Sequence, residues 1–433
     1  MKYQALKPDL FRLNRKRFAR QMEANSIAIF NSNDLMPRSG DQFFPFRQNA
    51  GLFYLCGIDQ PTSVLLLFPD CKRDGYQTLL FIEKTTEHMA VWDGALLTKE
   101  EASAISGIKK VFWLEELEAV LPELVHQADH IYINTNENDR FNSPVPSRDL
   151  RFARQLQERY PAHSYRRAQP ILRKLMMIKS KWELDPLQRA IDITESAFRR
   201  VLAHLRPGLM EYEVEAEIIH EFVRQRATGH AYPPIIGSGK NACVLHYIKN
   251  NSRCQDGEIL LMDFGAEYAN YAADLTRSVP VNGQFSARQR AVYEAVHQVL
   301  KQATELLVPG TLLEEYHKEV GKMMTSALLD LKLLSKKEVS QQDPDRPAYK
   351  KYFMHGTSHH LGLDVHDLSD RYVPVQAGMV FTVEPGIYIP EENLGIRLEN
   401  DVLVTDQGPI NLMANIPIEA GEIEELMNVQ VLS

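Results

Sequence analysis

The chain has 433 residues, of which 44% are hydrophobic and 24% charged, and its net charge is −8. That length exceeds one ordinary core and points to two domains, while the composition excludes a collagen-like, coiled-coil or mostly disordered chain. The acidic balance also argues against nucleic acid as a partner, because phosphate-backbone binding draws on a surplus of Lys and Arg.

The local basic cluster Arg12, Arg15, Lys16, Arg17 and Arg20 is interleaved with Leu10, Phe11, Leu13 and Phe18, which is the pattern of a solvated helix face. Cys56, Cys71, Cys243 and Cys254 have no metal-like spacing and are expected as reduced thiols. No apolar leader and no membrane-length run is visible, so the expectation is a cytoplasmic protein with no membrane partner.

Taken in chain order, the first third alternates short apolar runs with helical periodicity. Strands are expected over 27–30, 52–56, 63–68, 78–82, 110–113 and 130–134, and helices near 8–24, 99–106, 114–127 and 147–160. This alternation predicts an α/β domain over 1–172. The stretch 166–181, with Pro170 and a basic cluster, reads as the connection to a second domain, 173–433. A long helix follows, opened by Ser180 and Glu183 at capping-box spacing or by Asp185 ahead of Pro186, and runs to about Leu205.

Arg206-Pro207-Gly208 separates that helix from another near 211–227. Some hundred residues later, Val308-Pro309-Gly310 separates a helix near 287–307, opened by Ser286 and Gln289, from one opened by Thr311 and Glu314 and ending about Leu333. Two helix–Pro-Gly–helix units predict a duplicated half-domain, although Pro-Gly is also ordinary helix-stop chemistry. Further strands are expected at 259–262, closed by Asp263, at 379–383, closed by Glu384, and at 396–404.

Asp263, Asp274, His359, Glu384 and Glu399 stand out together. Each alone is readable as a turn former, a surface acid or a core histidine. Jointly, they place acids on or beside three buried runs, and ionised carboxylates are seldom buried without compensation. Few lysines lie near them in sequence, and divalent cations would supply the missing charge. Four carboxylates and one imidazole are an oxygen-rich donor set that suits manganese, with cobalt, iron and zinc as alternatives. Arg397 and Glu399, two apart on one expected strand, would face the same side.

The order Asp263, an eleven-residue step, Asp274, then His359, Glu384 and Glu399 resembles the pita-bread metallopeptidases, as does the run His355-Gly-Thr-Ser-His359-His-Leu-Gly362-Leu-Asp-Val-His366-Asp367. Among them, the stretch Arg38-Ser-Gly-Asp41 to Asn49 resembles the aminopeptidase P group. The resemblance implies a pseudo-twofold α/β catalytic domain and two metal ions. Asp263 would hold one, His359 and Glu384 the other, and Asp274 and Glu399 would bridge them. A shared hydroxide would attack the bond before proline, with Glu384 carrying its proton. His246 and His366 would contact substrate and steady the oxyanion, Arg397 would orient the acids or His366, and His355 and Tyr388 would lie around the cleft. Asp41 and Trp92 match N-terminal positions, and in that group Trp92's position can reach a neighbouring subunit's active site; Trp92 is equally readable as core packing.

The partners implied are peptides with proline at the second position and further copies of the chain in a dimer or tetramer. A dipeptide-only prolidase is the nearest alternative, ahead of a metal-free creatinase-like hydrolase and a non-catalytic binding module. Two departures bear on substrate preference: the interval from Glu384 to Glu399 is short, and His360 stands where an aromatic is common.

Overall fold

A computed structural model of the chain describes residues 3–138 and 143–428. Two compact units divide the chain, Tyr3–Met176 and a second beginning at Met177. The first is built on one mixed six-stranded sheet in the order Lys110–Trp113, Thr78–Ile82, Val64–Leu67, Ser26–Asn31, His130–Ile133, Ser164–Arg167. Its apolar runs are continuous rather than alternating because both faces are covered. Ile27, Ile29, Val64, Leu66, Leu79 and Phe81 pack on one side with Leu121, Leu124 and Leu156 of the helices Leu117–Val125 and Arg148–Arg159. On the other side, Phe30 meets Phe18 of the helix Pro8–Ala19 edge-on at 5.3 Å.

Two expectations fail here, and one of the two readings of Trp92 is removed. Residues 52–56 are not a strand but part of the helix Ala50–Cys56. Asn49 caps it, its side chain accepting from the Leu52 N–H at 3.1 Å, and every position from Gly51 to Cys56 is buried, so no helical stripe could show. Nor is 166–181 a plain connection. Ser164–Arg167 is an edge strand paired parallel with His130–Ile133, and Gln169–Met176 is a helix whose first turn takes Pro170. Trp92 does not pack in a core: it ends the helix Glu87–Trp92 with 74% of its surface exposed.

The second unit contains two helix pairs, Lys181–His204 with Glu211–Arg224 and Ala287–Glu305 with Leu313–Asp330. Each pair is joined through a Pro-Gly whose glycine has nearly the same backbone angle, φ 99° at Gly208 and 96° at Gly310. Ser180 is the N-cap of the first helix, its N–H donating to Glu183 at 2.8 Å, and Ser286 and Gln289 close a reciprocal box on the third. The expected Thr311–Glu314 box is absent; Leu312 takes the cap position, and the Thr311 hydroxyl donates back to Leu306 O at 3.1 Å.

Each helix pair accompanies a three-stranded antiparallel sheet. One runs Ile235–Ser238, Ile259–Phe264, Leu275–Pro280, and the other Val380–Val383, Asn400–Thr405, Gly408–Asn411. Asp263 therefore lies within its strand, not at its close. The expected strand at 396–404 is two strands: Leu394–Arg397 pairs with Gly386–Ile389, and Asn400–Thr405 pairs with Val380–Val383. Leu398 and Glu399 form the break. The Glu399 N–H crosses to Thr276 O at 3.0 Å, stitching the two halves together. Arg277, fully buried, reinforces that seam by donating to Glu399 O, Asn400 Oδ1 and Pro417 O.

Candidate metal centre

The acids converge at this seam. Asp263 and Asp274 come from the paired strands Ile259–Phe264 and Leu275–Pro280, the second acid directly preceding its strand. Glu384 follows Val380–Val383 and is pinned by its N–H donating to Thr357 O at 2.8 Å. Glu399 occupies the strand break. His359 is fixed by its N–H donating to Thr382 Oγ1 and by Thr382 N–H donating to its carbonyl.

Ligand atoms of Asp274, His359 and Glu399 lie within 4.8 Å of one another. The His359 Nδ1–H donates to His360 O at 3.0 Å, which leaves Nε2 facing Asp274 at 3.5 Å and Glu384 at 3.7 Å. Those distances are long for hydrogen bonds. Donors that share an ion at about 2.1 Å sit about 3–3.5 Å apart, so the donor set fits a divalent cation.

The charge balance leads to the same conclusion. Burial, reinforced by the neighbouring acids, pushes Glu384 up to about 7 and raises Glu399 well above the carboxylate range. Burial also raises Asp263 against the pull of Arg397. The His359 imidazole would be lowered by burial, but Asp274 and Glu384 outweigh that and hold it raised. The Tyr232 hydroxyl stands 2.7 Å from Asp263 and 2.5 Å from Asp274. A phenol has one proton to donate, so it cannot satisfy two charged acids at once.

One compensating cation is the Arg397 guanidinium, expected to orient the acids or His366. Arg397, 4% exposed, donates through Nη2 to Asp263 Oδ2 at 2.6 Å, through Nη1 to Tyr388 Oη at 2.8 Å and through Nε to Thr276 Oγ1 at 3.1 Å. Thr276 in turn donates to Glu399 at 2.6 Å. Tyr388, itself fully buried, donates to His355 Nε2 at 2.8 Å, since His355 Nδ1–H is given to Gly356 O at 2.8 Å. Burial, with Arg397 and His246 close by, drives His355 down to about 3, so its ring is neutral near pH 7.

His246 and His366 are exposed, and the His366 ring lies 4.4 Å from that of His359. Asp41 and Trp92 belong to the first unit and are both exposed. His360 is buried 4.2 Å from the Phe381 ring, so this departure sits in the core. Sequence reasoning missed Tyr232, Thr276 and Asp401. Thr276 and Asp401 each stand two positions beyond a singled-out acid, a detectable same-side spacing; Asp401 accepts from the Asp274 N–H at 3.2 Å. Tyr232 carries no local signal.

These raised acids give a pH signature. Between the usual carboxylate range and about pH 7 these acids hold protons in the folded, metal-free protein that the unfolded chain has released, so their contribution to stability falls as pH rises. For Glu384 alone the shift corresponds to roughly 3 kcal/mol. Burial keeps His230, His355 and His360 neutral, lowered to about 4, 3 and 3, and they contribute the opposite slope below about pH 6.5. Chelated protein should therefore lose melting temperature between about pH 6.5 and pH 8, and adding manganese should flatten the slope. Calorimetry at matched ionic strength checks this; a flat profile in the chelated protein would contradict the crowded-acid account.

The chain's resemblances agree with this geometry. Residues 185–406 match the model of metallopeptidase family M24, and residues 11–132 match the aminopeptidase P N-terminal domain. The chain is 35% identical to the Xaa-Pro aminopeptidases of Haemophilus influenzae and Escherichia coli (strain K12), each over 96% of this chain and 97% of the relative. Its fold superposes on E. coli aminopeptidase P with the inhibitor Pro-Leu at a TM-score of 0.88 and 32% identity, covering 99% of this chain and all of that one. The fold is thus an N-terminal α/β domain followed by a pita-bread catalytic domain, and the chain belongs to metallopeptidase family M24. Among the described residues, no helix is long and apolar enough to cross a membrane.

Proposed function

We propose that the chain is a two-metal aminopeptidase that releases the first residue of peptides with proline in second place. The observation that carries this reading is the buried, over-charged acid cluster around the free Nε2 of His359. Asp263, Asp274, His359, Glu384 and Glu399 would hold two divalent cations, manganese by the hardness of the oxygen donors. When bound, such a pair supplies an activated water and polarises the scissile carbonyl.

The chain's own residues do the rest. Glu384 takes the proton of the attacking water and delivers it to the departing proline nitrogen. The exposed His246 and His366 donate to the substrate carbonyl as charge builds on it. Arg397 holds Asp263 and, through Tyr388, the neutral His355 that borders the cleft. Asp41 and Trp92, exposed on the first unit, would contact substrate, Trp92 in the site of a neighbouring copy in a dimer or tetramer. The proline requirement follows the relatives' names.

The test is a comparison of Gly-Pro with Gly-Pro-Gly before and after EDTA. Cleavage of the tripeptide, lost on chelation and restored by manganese, is the expected result. Turnover of the dipeptide alone would reassign the chain as a prolidase, and absence of both activities in metal-loaded protein would leave a binding module.

A further inference from the structure

The stretch 361–378 carries His366 yet contains no helix or strand. Upstream, the backbone is well tied: Leu361 N–H donates to Val380 O at 3.1 Å and Ala272 N–H to Gly362 O at 2.9 Å. At the far end, Asp367 N–H donates to His360 O at 3.0 Å, and the Asp367 carboxylate meets Lys179 Nζ at 2.7 Å. Both side chains of this ion pair are 1% exposed, and 188 residues separate them in sequence. Asp367 Oδ1 has no hydrogen-bond partner among the described residues, so Lys179 is the anchor of that carboxylate.

Lys179 is itself immobilised. Its N–H donates to Gly378 O at 2.7 Å, and it directly precedes Ser180, the cap of the helix Lys181–His204. Room for the pair depends on Gly362, where an added Cβ would stand 2.1 Å from Asp367 Oδ2 and 2.7 Å from Lys179 Nζ. Buried ion pairs contribute little net stability relative to apolar residues of similar volume. What this one supplies is a fixed point one residue from His366, in a segment lacking regular structure.

We propose that the Lys179–Asp367 ion pair is a positioning device that sets the His366 ring over the centre. Its effect on catalysis rests on the reading of His366 as a substrate contact; its effect on the ring does not. Neither residue touches substrate or metal in this account; they act through His366.

The experiment has two arms. In the first, metal-free protein labelled with 13C-histidine is compared with Asp367→Asn by NMR, the His366 ring signal being assigned by its loss in His366→Ala. The signal is expected to shift or broaden in Asp367→Asn, and an unmoved signal overturns the proposal. In the second arm, Asp367→Asn should lower kcat about 10²-fold, the scale of an ångström-sized misplacement, with KM and bound manganese unchanged. In a His366→Ala background the same substitution should cost nothing further. An equal loss in both backgrounds identifies a merely structural pair and overturns the proposal.

Should Asp367→Asn fail to fold, Lys179→Met/Asp367→Asn removes both charges together and avoids an uncompensated one. It should fold with the His366 signal still displaced; a native signal there overturns the proposal. If the wild-type protein cleaves no Xaa-Pro peptide, the functional reading falls, and the first arm alone decides the pair.

Discussion

Glu384→Gln is expected to lower kcat on Gly-Pro-Gly by about 10²–10⁴-fold, the range spanned by loss of a positioned acid–base group. Glutamine keeps the length and the backbone anchor at Thr357 O. It also keeps a carbonyl oxygen toward His359, where Glu384 Oε1 now stands at 3.7 Å, but it cannot hold a proton. In the metal-free protein burial and the neighbouring acids push the wild-type carboxyl up to about 7, and cations bound beside it would draw it back down. Bound manganese must be measured beside turnover, because Glu384 is also a proposed ligand. A variant with full metal and kcat within about tenfold of wild type would remove Glu384 from proton transfer.

The second large effect concerns stability. Arg397→Met should cost the metal-free protein about 3–5 kcal/mol, because one partner of a buried pair disappears and leaves Asp263 either charged without its cation or driven to take up a proton. For a unit of this size that is a fall in melting temperature of roughly 6–20 °C. The same change strips Tyr388 and Thr276 of a donor each, loosening the tethers on His355 and Glu399. Manganese should recover part of the loss, since cations at the centre would compensate Asp263 in place of the guanidinium. Thermal melts of wild type and variant, each with and without manganese, read this directly. An identical drop in both states would make Arg397 a plain core strut, unconnected to the charge of the centre.

Legibility in the sequence followed the range of the forces involved. Helices with exposed faces were legible as elements: Lys99–Ser106 matched to the residue, while Pro8–Ala19 ended five positions before its expected end at 24. The helix Ala50–Cys56 was not legible, because complete burial removes the periodicity that distinguishes helix from strand. The expected strand at 396–404 concealed a break, since alternation continues in sequence while the chain changes sheets at Glu399.

By itself, the sequence determined that the chain has two domains' worth of residues, a repeated helix pair, and acids beside apolar runs that call for compensating charge. Hydrophobic periodicity, caps and turn residues act over a few positions, so those features are written locally. Only the tertiary structure decided how that charge is shared. Arg397 reaches Asp263 across 134 positions, Thr276 reaches Glu399 across 123, and Lys179 reaches Asp367 across 188. The reason is physical: ion pairs and hydrogen bonds of this kind gain strength only where folding has removed water around them, and no local pattern records which distant side chain will share that space.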